Sequence, residues 1–211
     1  MKTANKIIEI FLFINPLEMV SYNMEKIVTE FSKERDEKVQ VRFVPVVNFR
    51  TVSKHLADQN IKGASIEMRN EIYSTAYEIC LAFEAAAMQG KKAGRTFLMA
   101  IQEAILAKKF PLTKELILNT AVNCGLDLEM FEEDWHSEFS KEDFLTDQKL
   151  ARDMGIEASP ACVIYNGREA SYGCLIETHF TKQLLHGISN VDITDSHTIQ
   201  DIQKQYNFDF I

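Results

Sequence analysis

Strand-forming sequence stands only near the two ends of this chain, and the long middle reads as helix. The first apolar run, Ile7-Ile8-Glu9-Ile10-Phe11-Leu12-Phe13-Ile14, stops at Asn15-Pro16. An amphipathic helix over about residues 17 to 34 follows, with Val20, Met24, Ile27, Val28 and Phe31 on one face. The charged turn Lys33-Glu34-Arg35-Asp36 leads into a second strand, Val39 to Val47, whose start alternates and is β-branched. Pro45 near its end favours an edge position or a bulge, because proline cannot donate to a ladder. Strand, helix, strand at this spacing predicts a right-handed parallel crossover.

From about residue 65 the period becomes helical. Ile72, Ala76, Ile79, Cys80, Phe83 and Ala87 form a stripe ending at Gly90. A further helix is expected from Arg95 to Lys108, and Thr113 can cap another that stops at Cys124-Gly125. Asp127 can cap a short helix, and Ser140-Lys141-Glu142-Asp143 resembles a capping box for a helix running to Gly155. Strand character returns at Ala161-Cys162-Val163-Ile164-Tyr165, Asn166-Gly167 signals a hairpin, and residues 170 to 176 form the return strand. A last helix is expected over about residues 177 to 185. The two groups of strands need one another to make a sheet, so the middle is an insertion into a single α/β domain. The expected division is residues 1–62 with 156–190 as the discontinuous α/β domain, 63–155 as an inserted all-helical lid, and 191–211 as a polar tail.

Bulk properties narrow the function classes. A chain of 211 residues with 46% hydrophobic content can bury a substantial core. Its net charge of -8 argues against nucleic acid or an anionic membrane as partner, since phosphates would repel the surface. The N-terminal apolar run contains a glutamate and is too short to span a bilayer, so a buried strand and a cytoplasmic protein are expected. The four cysteines, Cys80, Cys124, Cys162 and Cys174, are scattered and form no C-x-x-C pair, which predicts free, mostly buried thiols. His55, His136, His179, His186 and His197 show no metal-ligand spacing, and neither metal nor cofactor is expected.

Two segments carry a resemblance. Gly155-Ile156-Glu157-Ala158-Ser159-Pro160-Ala161, just before the returning strand, resembles the cis-proline loop of the DsbA branch of the thioredoxin superfamily. Residues 77 to 95, from Tyr77-Glu78-Ile79-Cys80 to Lys91-Lys92-Ala93-Gly94-Arg95, look like the helical insertion of the SpxH (YjbH) family. Trp135-His136-Ser137 continues that likeness, which covers about residues 6 to 186. The resemblance implies a thioredoxin-like (DsbA-like) fold and a cis bond between Ser159 and Pro160. It also implies an adaptor of Gram-positive bacteria that binds an Spx-type transcription regulator and presents it to the ClpXP protease, with ClpX as a further partner.

The chain departs from that pattern at the redox position. Where such proteins carry Pro-Leu-Cys-x-x-Cys, this one has Pro16-Leu17-Glu18-Met19-Val20-Ser21. Thiol–disulfide exchange needs a thiolate at the start of this helix, and Glu18 cannot form a mixed disulfide. A glutamate there is expected to be held as an anion by the helix N-terminus. No catalytic residue is therefore assigned, and the protein is expected not to be an enzyme. The alternatives are a DsbA-like oxidoreductase or isomerase using Cys162 or Cys174, and a kappa-class glutathione-transferase-like protein. In the latter class, however, the serine occupies the position that Glu18 holds here. Tyr22, Lys91, Lys92, Arg95, Trp135 and His136 are the candidate partner-binding residues. The acidic stretch from Asp127 to Asp143 and the basic segment from Lys91 to Lys109 are either solvated helix faces or an electrostatically polar lid that orients a protein partner.

Overall fold

The computed structural model describes residues 7–166, 173–177 and 179–190, together with the backbone of 209–210. Strand β1 (Ile7–Ile14) is central, because its alternating residues are buried on both sides. Helix α1 (Met19–Glu34) crosses over to β2 (Lys38–Pro45), which runs parallel to β1. Strand β3 (Ala161–Asn166) pairs antiparallel with the other edge of β1, and β4 (Cys174–Ile176) pairs antiparallel with β3. A two-residue strand β5 (Asp209–Phe210) joins β4, giving the order β2-β1-β3-β4-β5. Pro45 thus lies at the end of an edge strand, where its missing N–H breaks no ladder. The turn expected at Asn166-Gly167 and the polar tail over 191–208 lie outside the described residues.

Between β2 and β3 come α2 (Phe49–Asp58), α3 (Ile66–Met88), α4 (Lys91–Gln102), a π-helical turn (Glu103–Ala107), α5 (Lys114–Asn123), α6 (Leu128–Asp134) and α7 (Glu138–Asp153). The chain closes on the sheet with α8 (Lys182–Ser189). Side-chain caps set most of these starts. Ser65, Thr113, Asp127, Ser137 and Thr181 each accept the backbone N–H three residues on. Gly125 and Gly155 end α5 and α7 with positive φ, at 75° and 70°.

Several boundaries differ from the sequence reading. Helix α1 begins at Met19 rather than 17, because Pro16 and Leu17 are used in a turn held by Asn15. Helix α2 was not expected. Its signal is the reciprocal cap in which Asn48 accepts from the Thr51 N–H and the Thr51 hydroxyl accepts from the Asn48 N–H. Helix α4 starts at Lys91, four residues earlier than expected, directly from Gly90 at φ 132°. The cap of α7 is Ser137, and Ser140 sits buried inside the helix, donating back to the Ser137 carbonyl. Helix α8 starts at Lys182, capped by Thr181, rather than near 177.

One face of the sheet, through Ile8, Ile10, Leu12 and Ile14, packs on Val28 and Phe31 of α1 and on Leu185 and Ile188 of α8. The same cluster runs without a break into the insertion, through Ile79, Phe83, Phe97, Leu98, Ile101 and Phe131. The other face, with Phe13, Val44 and Val163, is covered by Leu150 and Ala151 of α7 and by Met154 just after it. No described helix is long and apolar enough to cross a membrane.

Candidate functional site

The end of β1, the start of α1, α2 and the loop before β3 meet around a groove of about 540 Å³, whose walls include Glu18, Lys54, His55, Ser159, Pro160 and His179. Asn15 shapes the turn that leads into it. Its side-chain oxygen accepts from the Leu17 N–H, and its carbonyl accepts from the Glu18 N–H, turning the chain into α1. The Asn15 N–H in turn donates to the Ser21 hydroxyl at 3.1 Å.

Glu18 is 4% exposed. Its Oε2 accepts from the Ser159 hydroxyl at 3.0 Å and the Ser21 hydroxyl at 3.1 Å, and lies 3.4 Å from Lys54 Nζ. Its Oε1 is 3.5 Å from Asn15 Nδ2. Lys54, on α2, also donates to the carbonyl of Ser159. The Ser159–Pro160 peptide bond is cis. Glu18, Ser21, Ser159 and Lys54 therefore form one closed cluster in which every hydroxyl has a partner.

The expectation that the helix N-terminus stabilises the Glu18 carboxyl is corrected. Its side chain caps no backbone N–H of α1. Burial pushes its pKa above the usual carboxylate value, and Lys54, Ser159 and Ser21 offset only part of that rise. The carboxyl turns inward to hydroxyls and an ammonium instead of along the helix axis. Met19 and Val20 remain partly exposed beside it.

No thiol replaces the lost pair. All four cysteines are free. Cys162 and Cys80 are fully buried with thiols pushed well up by burial, and burial also raises Cys124 and Cys174. A thiol that holds its proton so tightly is a poor nucleophile. Among the described residues, no group of three or more His, Cys, Asp or Glu is placed to hold a metal ion.

The candidate partner-binding residues scatter. Tyr22 is buried under Lys26, whose ammonium lies 4.2 Å from the ring centre, and so does not offer a free surface. Lys91 and Lys92 are exposed at the start of α4, whereas Arg95 is half-buried and donates to the Val41 carbonyl on the free edge of β2. Trp135 is buried against Phe131, and His136 stacks on it while facing Glu78 at 3.1 Å. Sequence reasoning missed Lys54 and Asn15, since their roles depend on a helix and a turn that it did not place.

A parallel β1–α1–β2 unit, an antiparallel β3–β4 unit, a cis-proline loop facing the start of α1 and a helical insertion between the halves define a thioredoxin-fold protein of the DsbA type. The model of the thioredoxin family matches residues 11–186, and the chain belongs to that family. Its relatives include the ClpXP adapter protein SpxH of Bacillus subtilis, 27% identical over 184 residues, 80% of this chain and 62% of the relative. The protein of the same name from Staphylococcus saprophyticus is 27% identical over 170 residues, 81% of this chain and 60% of the relative. The chain thus spans about 60% of the length of these relatives. Among solved structures, one from Nitrosomonas europaea superposes with a TM-score of 0.64 at 12% identity, covering 95% of this chain and 99% of that one. The thiol-disulfide exchange protein alpha-DsbA2 from Wolbachia pipientis gives 0.56 at 13% identity, covering 90% and 83%. At such low identity these structures establish the fold.

Proposed function

We propose that this chain is a non-catalytic adaptor that binds an Spx-type transcription regulator and promotes its degradation by ClpXP in the cytoplasm. The observation that carries the reading is Glu18. Where the fold's chemistry would need a thiolate there is a buried carboxyl, fully engaged with Ser21, Ser159 and Lys54. An adaptor needs only a surface complementary to its client, so it survives the loss of both cysteines, whereas an oxidoreductase does not. The name that the relatives share supports the same direction.

The test is a pull-down of a purified Spx-type regulator with this chain, followed by its ClpXP degradation rate with and without the chain present. Retention of the regulator and a faster rate are expected. No retention together with an unchanged rate refutes the adaptor reading.

A further inference from the structure

Strand β2 is an outer strand of the described sheet, with β1 on its inner side. Along a strand, backbone groups turn alternately to one neighbour and to the other. The Val46 N–H donates to the Ile14 carbonyl and so faces inward. Val41, Phe43, Pro45 and Val47 therefore present their backbone outward. A row of outward N–H and C=O groups is a template for another chain to pair with.

Three features among the described residues interrupt that row. Gln148 of α7 donates from Nε2 to the Pro45 carbonyl at 2.6 Å, and its Oε1 accepts from the Val47 N–H at 3.1 Å. A residue of a parallel strand opposite Val46 would make the same two bonds, so one side-chain amide stands in for one strand residue. Pro45 offers no N–H on this side. Arg95 of α4 donates to the Val41 carbonyl at 2.9 Å, with its guanidinium 5.9 Å from the ring centre of Phe43. Bulk alone does not close the edge. Lys38 and Gln40 are exposed, and a cavity of about 240 Å³ lies alongside, with Val41, Phe43, Arg95 and Asp147 in its walls.

We infer that the helical insertion closes the β2 edge against strand addition by a second copy of this chain, through Gln148 and Arg95. A second copy is the occupant because it brings the same outward row, which can pair with itself across a two-fold axis. Two side chains that lie 105 and 54 or more residues from the strand groups they bind do not make those bonds by local accident; each is placed there only when the insertion folds against the sheet.

The experiment compares wild type with the whole chain carrying Arg95→Met and Gln148→Ala. Methionine keeps an apolar stem over Phe43 while removing the donors, and alanine removes the amide. Sedimentation over a range of concentrations reads self-association, and hydrogen exchange reads the Val47 amide. The double variant is expected to self-associate at least about tenfold more tightly than wild type. Its Val47 amide should exchange about tenfold faster in dilute solution, where the acceptor is gone, and slow again as pairs form. The control Thr146→Ala with Lys149→Met removes the same charge and adds the same methionine at two exposed positions beside Gln148, and should behave as wild type. Adding Gln40→Lys to the Arg95/Gln148 variant sets like charges, with Lys38 and Arg42, across the pairing and should return association to the wild-type level.

Circular dichroism shows whether each variant folds. Should the double variant fail to fold, Gln148→Ala alone carries the test, through Val47 exchange and its dependence on concentration. Association no tighter than wild type overturns the proposal. So does equal association in the control, which traces it to the methionine, or association that Gln40→Lys leaves unchanged, which places it on another face.

Discussion

At the scale of single residues, the groove is organised by a carboxyl where the fold ordinarily uses sulfur. Glu18 ties together α1, α2 and the loop before β3. Glu18→Ala leaves the hydroxyls of Ser21 and Ser159 and the Lys54 ammonium without their shared acceptor. The expected loss is about 1–3 kcal/mol of stability, read from urea denaturation. The thiols give a second check. Cys124, the one cysteine with some exposure, should react first with a disulfide reagent, and Cys80, Cys162 and Cys174 only as the chain unfolds. The absence of redox cysteines was legible in the sequence, because it needs only the identity of residues 18 and 21. The direction of Glu18 was not, because helix position suggested a carboxyl facing the helix N-terminus, whereas the folded chain turns it inward and burial raises its pKa.

Between elements, the joint of α1 with α4 rests on an acid–amide pair. Glu25 and Gln102 are both fully buried, and the Gln102 amide donates to Glu25 Oε1 at 2.8 Å. The two remaining oxygens, Glu25 Oε2 and Gln102 Oε1, have no other partner. Burial pushes the Glu25 pKa up to about 8, and the hydrogen bond from the Gln102 amide offsets only part of that rise. A carboxyl raised in the native state contributes stability that is fully present below its unfolded value near 4.5 and lost as pH climbs through about 8. Wild type should therefore lose stability between about pH 5 and about pH 9 more steeply than Glu25→Gln. Across that range wild type should lose about 5 kcal/mol relative to the variant in denaturant titrations. Helix identities in this region were readable from period and caps. The acid–amide pair was not, because residues 25 and 102 meet only once the insertion folds back on α1.

At the scale of the whole molecule, we propose that the division into residues 1–62 with 156–190 and an inserted 63–155 describes the path of the chain rather than two separately stable bodies. The apolar cluster that begins on β1 continues through α1 into α3, α4 and α6 without interruption. Far-UV circular dichroism and Trp135 fluorescence should then report one coincident unfolding transition. Phe131→Ala, a cut of about 3–5 kcal/mol at a fully buried site, should shift both signals together. Element order was enough to anticipate an α/β fold with a helical insertion. Where the first group of strands ends was harder to read, because α2 has few apolar positions and announces itself only through Asn48 and Thr51.

The cluster around Glu18 also decides how partners of this protein can be caught. A thioredoxin-fold enzyme holds its client for a moment through a sulfur–sulfur bond, and replacing the second cysteine freezes that bond for isolation. Here position 18 has no sulfur to freeze, and Ser21 is tied to Asn15 and Glu18. Covalent capture must be built in from outside, with a photoreactive side chain at exposed Met130 of the helical insertion and, separately, at Val20 beside the groove. Whichever position yields the cross-link identifies the face that the client touches.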